Sequence, residues 1–100
     1  MKVKIIVLET MFNEKLASEY AAPGLGKCPL HNVGEVFISE GGNKPEKLCD
    51  DAWISISRFA FAMAHGVEVF WPGWIEKKNI TIMSCPDGFR QVVFKLETIE

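Results

Sequence analysis

The amino-acid sequence predicts an α+β fold: a small, largely antiparallel sheet of about four strands with one long amphipathic helix packed across it. Three observations lead there. The segment from Pro45 to His65 is the longest regular stretch and repeats apolar residues at helical spacing. Two strand-like runs, 79–85 and 90–99, are joined at Pro86-Asp87-Gly88 and read as an antiparallel hairpin. The chain also opens on a run rich in β-branched residues, Val3, Ile5, Ile6 and Val7, with Lys2 and Lys4 alternating against them.

In order along the chain, Lys2 to Glu9 reads as a strand with Val3, Ile5 and Val7 on one face. Ile6 and Leu8 predict that its second half is covered on both faces. Asn13 suits the N-cap of a short helix with Leu16 and Tyr20 four apart and Glu14, Lys15 and Glu19 facing water. Ala21 to Gly26 ends that helix and opens a loop. Val33 to Glu40 reads as a second strand closed by Gly41-Gly42-Asn43.

The main helix is expected to start at Asp50, because Asp50 and Asp51 in its first turn suit the positive end of the helix dipole. Turned at 100° per residue, Cys49, Ala52, Trp53, Ile56, Phe59, Ala60, Met63 and Ala64 share a side. Asp51, Ser55, Arg58, Ala62 and His65 take the other, and Gly66 is the natural residue to end the helix. In the final strand Val92, Phe94, Leu96 and Thr98 alternate with Gln91, Val93, Lys95 and Glu97.

One hundred residues make a single domain, 1–100, with neither repeats nor linkers. A net charge of -2 provides no field to hold a polyphosphate backbone, which argues against nucleic acid as a partner. No stretch approaches the roughly 20 apolar residues of a membrane span, and the apolar run Ile5 to Leu8 is too short for a signal sequence. Three cysteines, an odd number, cannot close a disulfide framework, so the chain reads as cytoplasmic, where thiols stay reduced.

Those cysteines lie beside turn signals or a helix start, and they are the first candidate for chemistry. Cys28 and His31 form a Cys-x-x-His pair, and Cys49 and Cys85 would complete a tetrahedral set for zinc or ferrous iron. Thiolates and imidazole are the donors such ions prefer, although a second close pair, usual in zinc ribbons, is missing. Against this stands a plain packing role, since a free cysteine behaves as a small buried hydrophobe. Thiol redox chemistry is a further reading: a helix N-terminus stabilises a thiolate at Cys49, while Asp50 and Asp51 oppose it. His65, just before Gly66, is expected to serve the helix C-terminus. Gly24-Leu25-Gly26-Lys27 lacks the length and the Ser/Thr of a phosphate loop and reads as a turn.

The second candidate is Trp71-Pro72-Gly73-Trp74, a turn flanked by indoles. It is expected to line a pocket or to meet a protein partner or a second subunit through an aromatic patch. Asp87 and Arg90 flank the hairpin turn and are expected to pair with each other.

Cys28, His31-x-x-Gly34-Glu35, Pro45 with Cys49-x-x-Ala52-Trp53, Cys85-Pro86-Asp87 and Val92-Val93-Phe94 together resemble a small family of uncharacterised single-domain proteins of anaerobic bacteria and archaea. The resemblance spans nearly the whole chain. Glu35 departs from it, since the family tends to carry aspartate there, as do Asp50 and Asp51, where it has aromatic or small residues. It implies a stand-alone cytoplasmic protein and supplies no reaction, cofactor or catalytic residue.

Overall fold

The computed structural model describes residues 1–99. Along the chain come β1 (Lys2–Thr10), α1 (Glu14–Tyr20), β2 (Val36–Glu40), α2 (Asp50–Ala64), β3 (Ile80–Ser84) and β4 (Val92–Thr98). The strands form one antiparallel sheet in the order β2-β1-β4-β3, so β1 and β4 are central and β2 and β3 are the edges.

Alternation does the sorting. Val3, Ile5 and Val7 on β1, and Val92, Phe94 and Leu96 on β4, are buried on the face that meets α2. α2 answers with Ala52, Ile56, Ala60, Met63 and Ala64, a stripe at helical spacing. α2 begins at Asp50 with Cys49 as its N-cap, and both aspartates fall in the first turn as expected. It ends in a Schellman motif: Gly66 N–H bonds Met63 O, Val67 N–H bonds Ala62 O, and Gly66 takes φ 101°. The Met1 amine donates to Ala64 O at 3.2 Å, bringing positive charge to the helix C-terminus. His65 bonds back to Phe61 O at 2.8 Å, as its position suggested.

Asn13 caps α1 as expected, its Oδ1 accepting from Leu16 N–H at 3.0 Å. No residue of α1 is buried, so a second, short helix accompanies the sheet without forming a layer on it. That corrects one expectation. Leu8 is 37 % exposed, and the second half of β1 is not covered on both faces. Leu8 is also the extra residue of a β-bulge, since the register with β4 shifts between Val7 and Glu9. β2 is shorter than the reading 33–40 because Glu35 N–H turns back to Asn32 O and Gly34 sits at φ 93°. After β2 the chain passes so close to α2 that a Cβ on Gly42 would lie 2.7 Å from Phe61 Cδ2; only glycine fits there.

The β3–β4 hairpin forms as expected. Asp87 Oδ1 accepts from Phe89 N–H at 2.8 Å and Arg90 N–H at 2.9 Å, while Oδ2 meets Arg90 Nε at 3.3 Å. The Arg90 amide, with further help from Phe89 and the guanidinium, outweighs partial burial and holds the Asp87 carboxyl below its ordinary range. A depressed carboxyl stabilises the fold above the unfolded-state value, and that stability is lost as pH falls through the folded-state value.

Two measurements check this description. Ile56→Ala should lower the unfolding free energy by about 2–5 kcal/mol in a denaturant melt, as for a buried large-to-small change; a loss within error would mean the helix face is misassigned. Melting temperature should fall more steeply in the wild type than in Asp87→Asn between about pH 5 and about pH 2, because only the wild type loses a charged acceptor there. Parallel curves would remove the role given to Asp87.

Candidate functional site

The two groups of candidate residues lie at opposite ends of the molecule. His31, Cys49 and Cys85 sit where β1 finishes: Val7 N–H bonds Glu35 O, and Cys85 N–H bonds Val92 O. Val92 is in turn the partner of Thr10. The aromatic turn follows the other end of α2 and leads into the start of β3.

His31 belongs to a loop yet is buried, at 3 % exposure. Its ring stands edge-on to Phe37 at 5.4 Å and Phe94 at 6.0 Å. Nε2 accepts from the Cys49 N–H at 3.2 Å, and Nδ1 lies 3.2 Å from Glu35 Oε1. An N–H at Nε2 demands a lone pair there, so the ring proton sits on Nδ1 and is donated to Glu35. Glu35 Oε1 also accepts from Asn32 N–H. His31 thus pins its loop to the start of α2, and neither nitrogen is left for another partner.

The cysteines are free, half-buried, and packed against the hydrophobic core. Cys49 makes no side-chain capping bond. Cys85 Sγ accepts from Val92 N–H at 3.2 Å and so continues the hairpin ladder by one side-chain link. Cys28 lies in the loop that leads to His31. The tetrahedral set read from the sequence is therefore not assembled: His31 is committed at both nitrogens, and among the described residues no three His, Cys, Asp or Glu side chains are grouped to hold a metal ion. Packing and ligation draw on the same short, apolar thiol, which is why the spacing alone could not separate them.

At the other end, the loop from Glu68 to Asn79 is tied at its base by Asn79 N–H to Glu68 O at 2.8 Å. Asn79 takes φ 68°, a conformation asparagine tolerates better than most residues. Within the loop Trp74 N–H bonds Trp71 O at 3.1 Å, and Pro72 and Gly73 (φ 90°) occupy the two central positions of a type II turn. That turn stacks the two indoles, centroids 5.3 Å apart and planes 29° apart. Trp71 leans on Phe59 of α2 at 5.5 Å, Phe70 meets Phe59 edge-on at 5.1 Å, and Arg58 covers the outer side of Phe59 at 4.8 Å. A ladder of rings thus runs from the helix out to Trp74, which is 76 % exposed.

Beneath it lies a mainly apolar cleft of about 320 Å³, walled by Phe70, Trp71, Trp74 and Ile75 and floored by β3 from Ile80 to Met83. Glu68 and Lys77 are its charged residues. This is the lower end of the size range of small-molecule sites. The indoles were legible in the sequence as a pair. The β3 floor was not, because nothing in Ile80-Thr81-Ile82-Met83 announces which element will lie beside it.

His31→Ala should lower stability by about 2–5 kcal/mol in a denaturant melt, since it empties a site between two aromatic rings and orphans the Cys49 amide. A chelator should leave the wild-type melt unchanged. A near-neutral His31→Ala or a chelator-sensitive melt would contradict the pinning role.

No protein-family model, curated protein or solved structure matches the chain, so its own geometry carries the functional argument.

Proposed function

We propose that the chain is a small cytoplasmic binding module that takes a ligand or protein partner through its Trp71–Trp74 surface, with Cys28, Cys49 and Cys85 as packing residues. One observation carries this reading: a stacked indole pair, Trp71 at 42 % and Trp74 at 76 % exposure, stands over an apolar cleft in a loop closed at its base. Burying apolar surface is worth about 25 cal/mol per Å², and indoles left in water forgo it. Holding them there in one fixed geometry favours an occupant over chance exposure. The matching ligand has a flat apolar or aromatic group to lie against the indoles.

Three free thiols fit a reducing compartment. The zinc- or iron-centre reading of Cys28, His31, Cys49 and Cys85 has no comparable support, since His31 is used at both nitrogens. Nor does the thiol-redox reading, with each sulfur packed on the core. The resemblance to a family of stand-alone proteins suits a module of this kind and adds no reaction to it.

Aromatic fragments titrated into isotopically labelled protein should shift the backbone amides of residues 68–83 and leave those of 28–35 in place. Trp74→Ala should weaken that binding at least about tenfold, the loss of one aromatic contact of about 1.4 kcal/mol. Its melting temperature should barely move, because the ring is mostly in water. Fragments that gather at the cysteine end, or binding indifferent to Trp74, would overturn the proposal.

A further inference from the structure

The floor of the cleft is an edge strand, and the direction of its backbone groups follows from two hydrogen bonds. Cys85 N–H bonds Val92 O, and Thr98 N–H bonds Asn79 O, so the Asn79 C=O and the Cys85 N–H face β4, while the Asn79 N–H turns to Glu68 O. An antiparallel ladder alternates strictly between inward and outward pairs. With β3 in unbroken register against β4, Thr81 and Met83 also face β4, and Ile80, Ile82 and Ser84 face away from the sheet. Ser55 Oγ confirms the sense by bonding the outward Ser84 O at 2.7 Å. Among the described residues, the outward N–H and C=O of Ile80 and Ile82 and the N–H of Ser84 have no backbone partner.

Edges that stay unpaired are usually guarded by charge, proline or a bulge. β3 carries none of these, its sequence being Ile-Thr-Ile-Met-Ser in regular register with β4, and what stands beside it is the Glu68–Asn79 loop across the cleft. The other edge strand differs, since β2 ends on Glu40, which pairs with Lys2 at 3.7 Å.

We propose that β3 pairs antiparallel with β3 of a second copy of this chain, with Ile82 on the two-fold axis, joining two sheets into one. The strand is complementary to itself in that register. Ile82 faces Ile82 and both of Ile82's outward groups find their counterparts. At each end the Ser84 N–H meets Ile80 O, while the Ser84 O, already bonded by Ser55 Oγ, would take the Ile80 N–H on its second lone pair. No like charges meet, because the strand carries none. The pairing is isologous and closes, so it stops at a dimer.

A single strand seam is small against the roughly 1,200 Å² of a stable interface. The neighbouring loop would have to supply the remainder. Val69 at 49 %, Trp71, Trp74 and Ile82 at 45 % exposure flank the same edge. Antiparallel pairing sets the Ile80 end of one copy beside the Ser84 end of the other, which brings each aromatic loop toward the other's Cys85-Pro86-Asp87 turn. The inference uses the same flank as the binding reading and does not depend on it, since the ladder geometry stands whether or not a ligand enters the cleft.

Sedimentation equilibrium tests it with three variants. Ile82→Pro removes an outward N–H only and leaves the bonds to β4 intact. Ile82→Lys keeps the backbone and sets two like charges at the axis. Leu8→Lys alters the open face of the sheet away from the edge. Wild type and Leu8→Lys should sediment at twice the 11.2 kDa chain mass, and both Ile82 variants at the chain mass with unchanged far-ultraviolet spectra. If Ile82→Pro unfolds, Ile82→Lys against Leu8→Lys still separates the edge from the face. A monomeric wild type, a dimer that survives both Ile82 changes, or one split by Leu8→Lys alone would overturn the pairing. Fragment binding at residues 68–83, measured on the same variants, reports separately on the cleft.

Discussion

The antiparallel pairing of β1 with β4 is the constraint from which the rest follows. These strands come from opposite ends of the chain, and their inward side chains, from Val3 to Val7 and from Val92 to Leu96, make up much of the core. Once they occupy the centre, β2 and β3 can only be edges, and the connection between them has to travel from one side of the sheet to the other. α2 makes most of that crossing and covers one face as it goes. What remains uncovered is set at the same time: the opposite face of the sheet, and the outer rim of β3 with the loop that feeds it.

The two ends of the molecule illustrate how a small domain divides its apolar residues. At the end where β1 finishes, Cys28, Cys49 and Cys85 settle against the core, and a histidine accepts the Cys49 N–H at the start of α2. Among the described residues no three His, Cys, Asp or Glu side chains gather there to hold an ion. At the other end, the Schellman motif turns the chain back along α2, and Phe70, Trp71 and Trp74 stack outward from Phe59 with no further layer to receive them. A domain of this length has area for one core. Apolar side chains stay exposed in several places, among them Leu8, Tyr20, Leu30 and Ile54, and at this end Trp71 and Trp74 stand exposed beside β3.

Much of the fold was legible in the sequence. The hairpin, the cap at Asn13, the start of α2 at Asp50 and the pairing of Asp87 with Arg90 all rest on local chemistry, where a turn, a cap or a dipole acts within a few residues. What was not legible depends on distant neighbours. Alternation in β1 marks Ile6 and Leu8 as apolar but cannot say whether a second layer arrives to cover them. Ser55 was assigned to the solvent side of its helix and instead reaches the outer carbonyl of β3. The Cys-x-x-His pair at Cys28 and His31 is equally at home as ligands or as packing, and no local pattern shows that the amide of Cys49, eighteen residues beyond His31, takes up the histidine's Nε2. The Trp pair was visible, whereas its floor came from a strand whose neighbour no pattern names.

Because everything rests on the central pairing, residue-resolved amide hydrogen exchange under native conditions is its most direct test. Amides that bridge β1 and β4 should exchange only through global unfolding and be the slowest in the chain, with the loop from Glu68 to Asn79 among the fastest. If amides of α2 or of the β1–β2 ladder outlast those between β1 and β4, the centre of the fold lies elsewhere, and the assignment of β3 as a free edge falls with it.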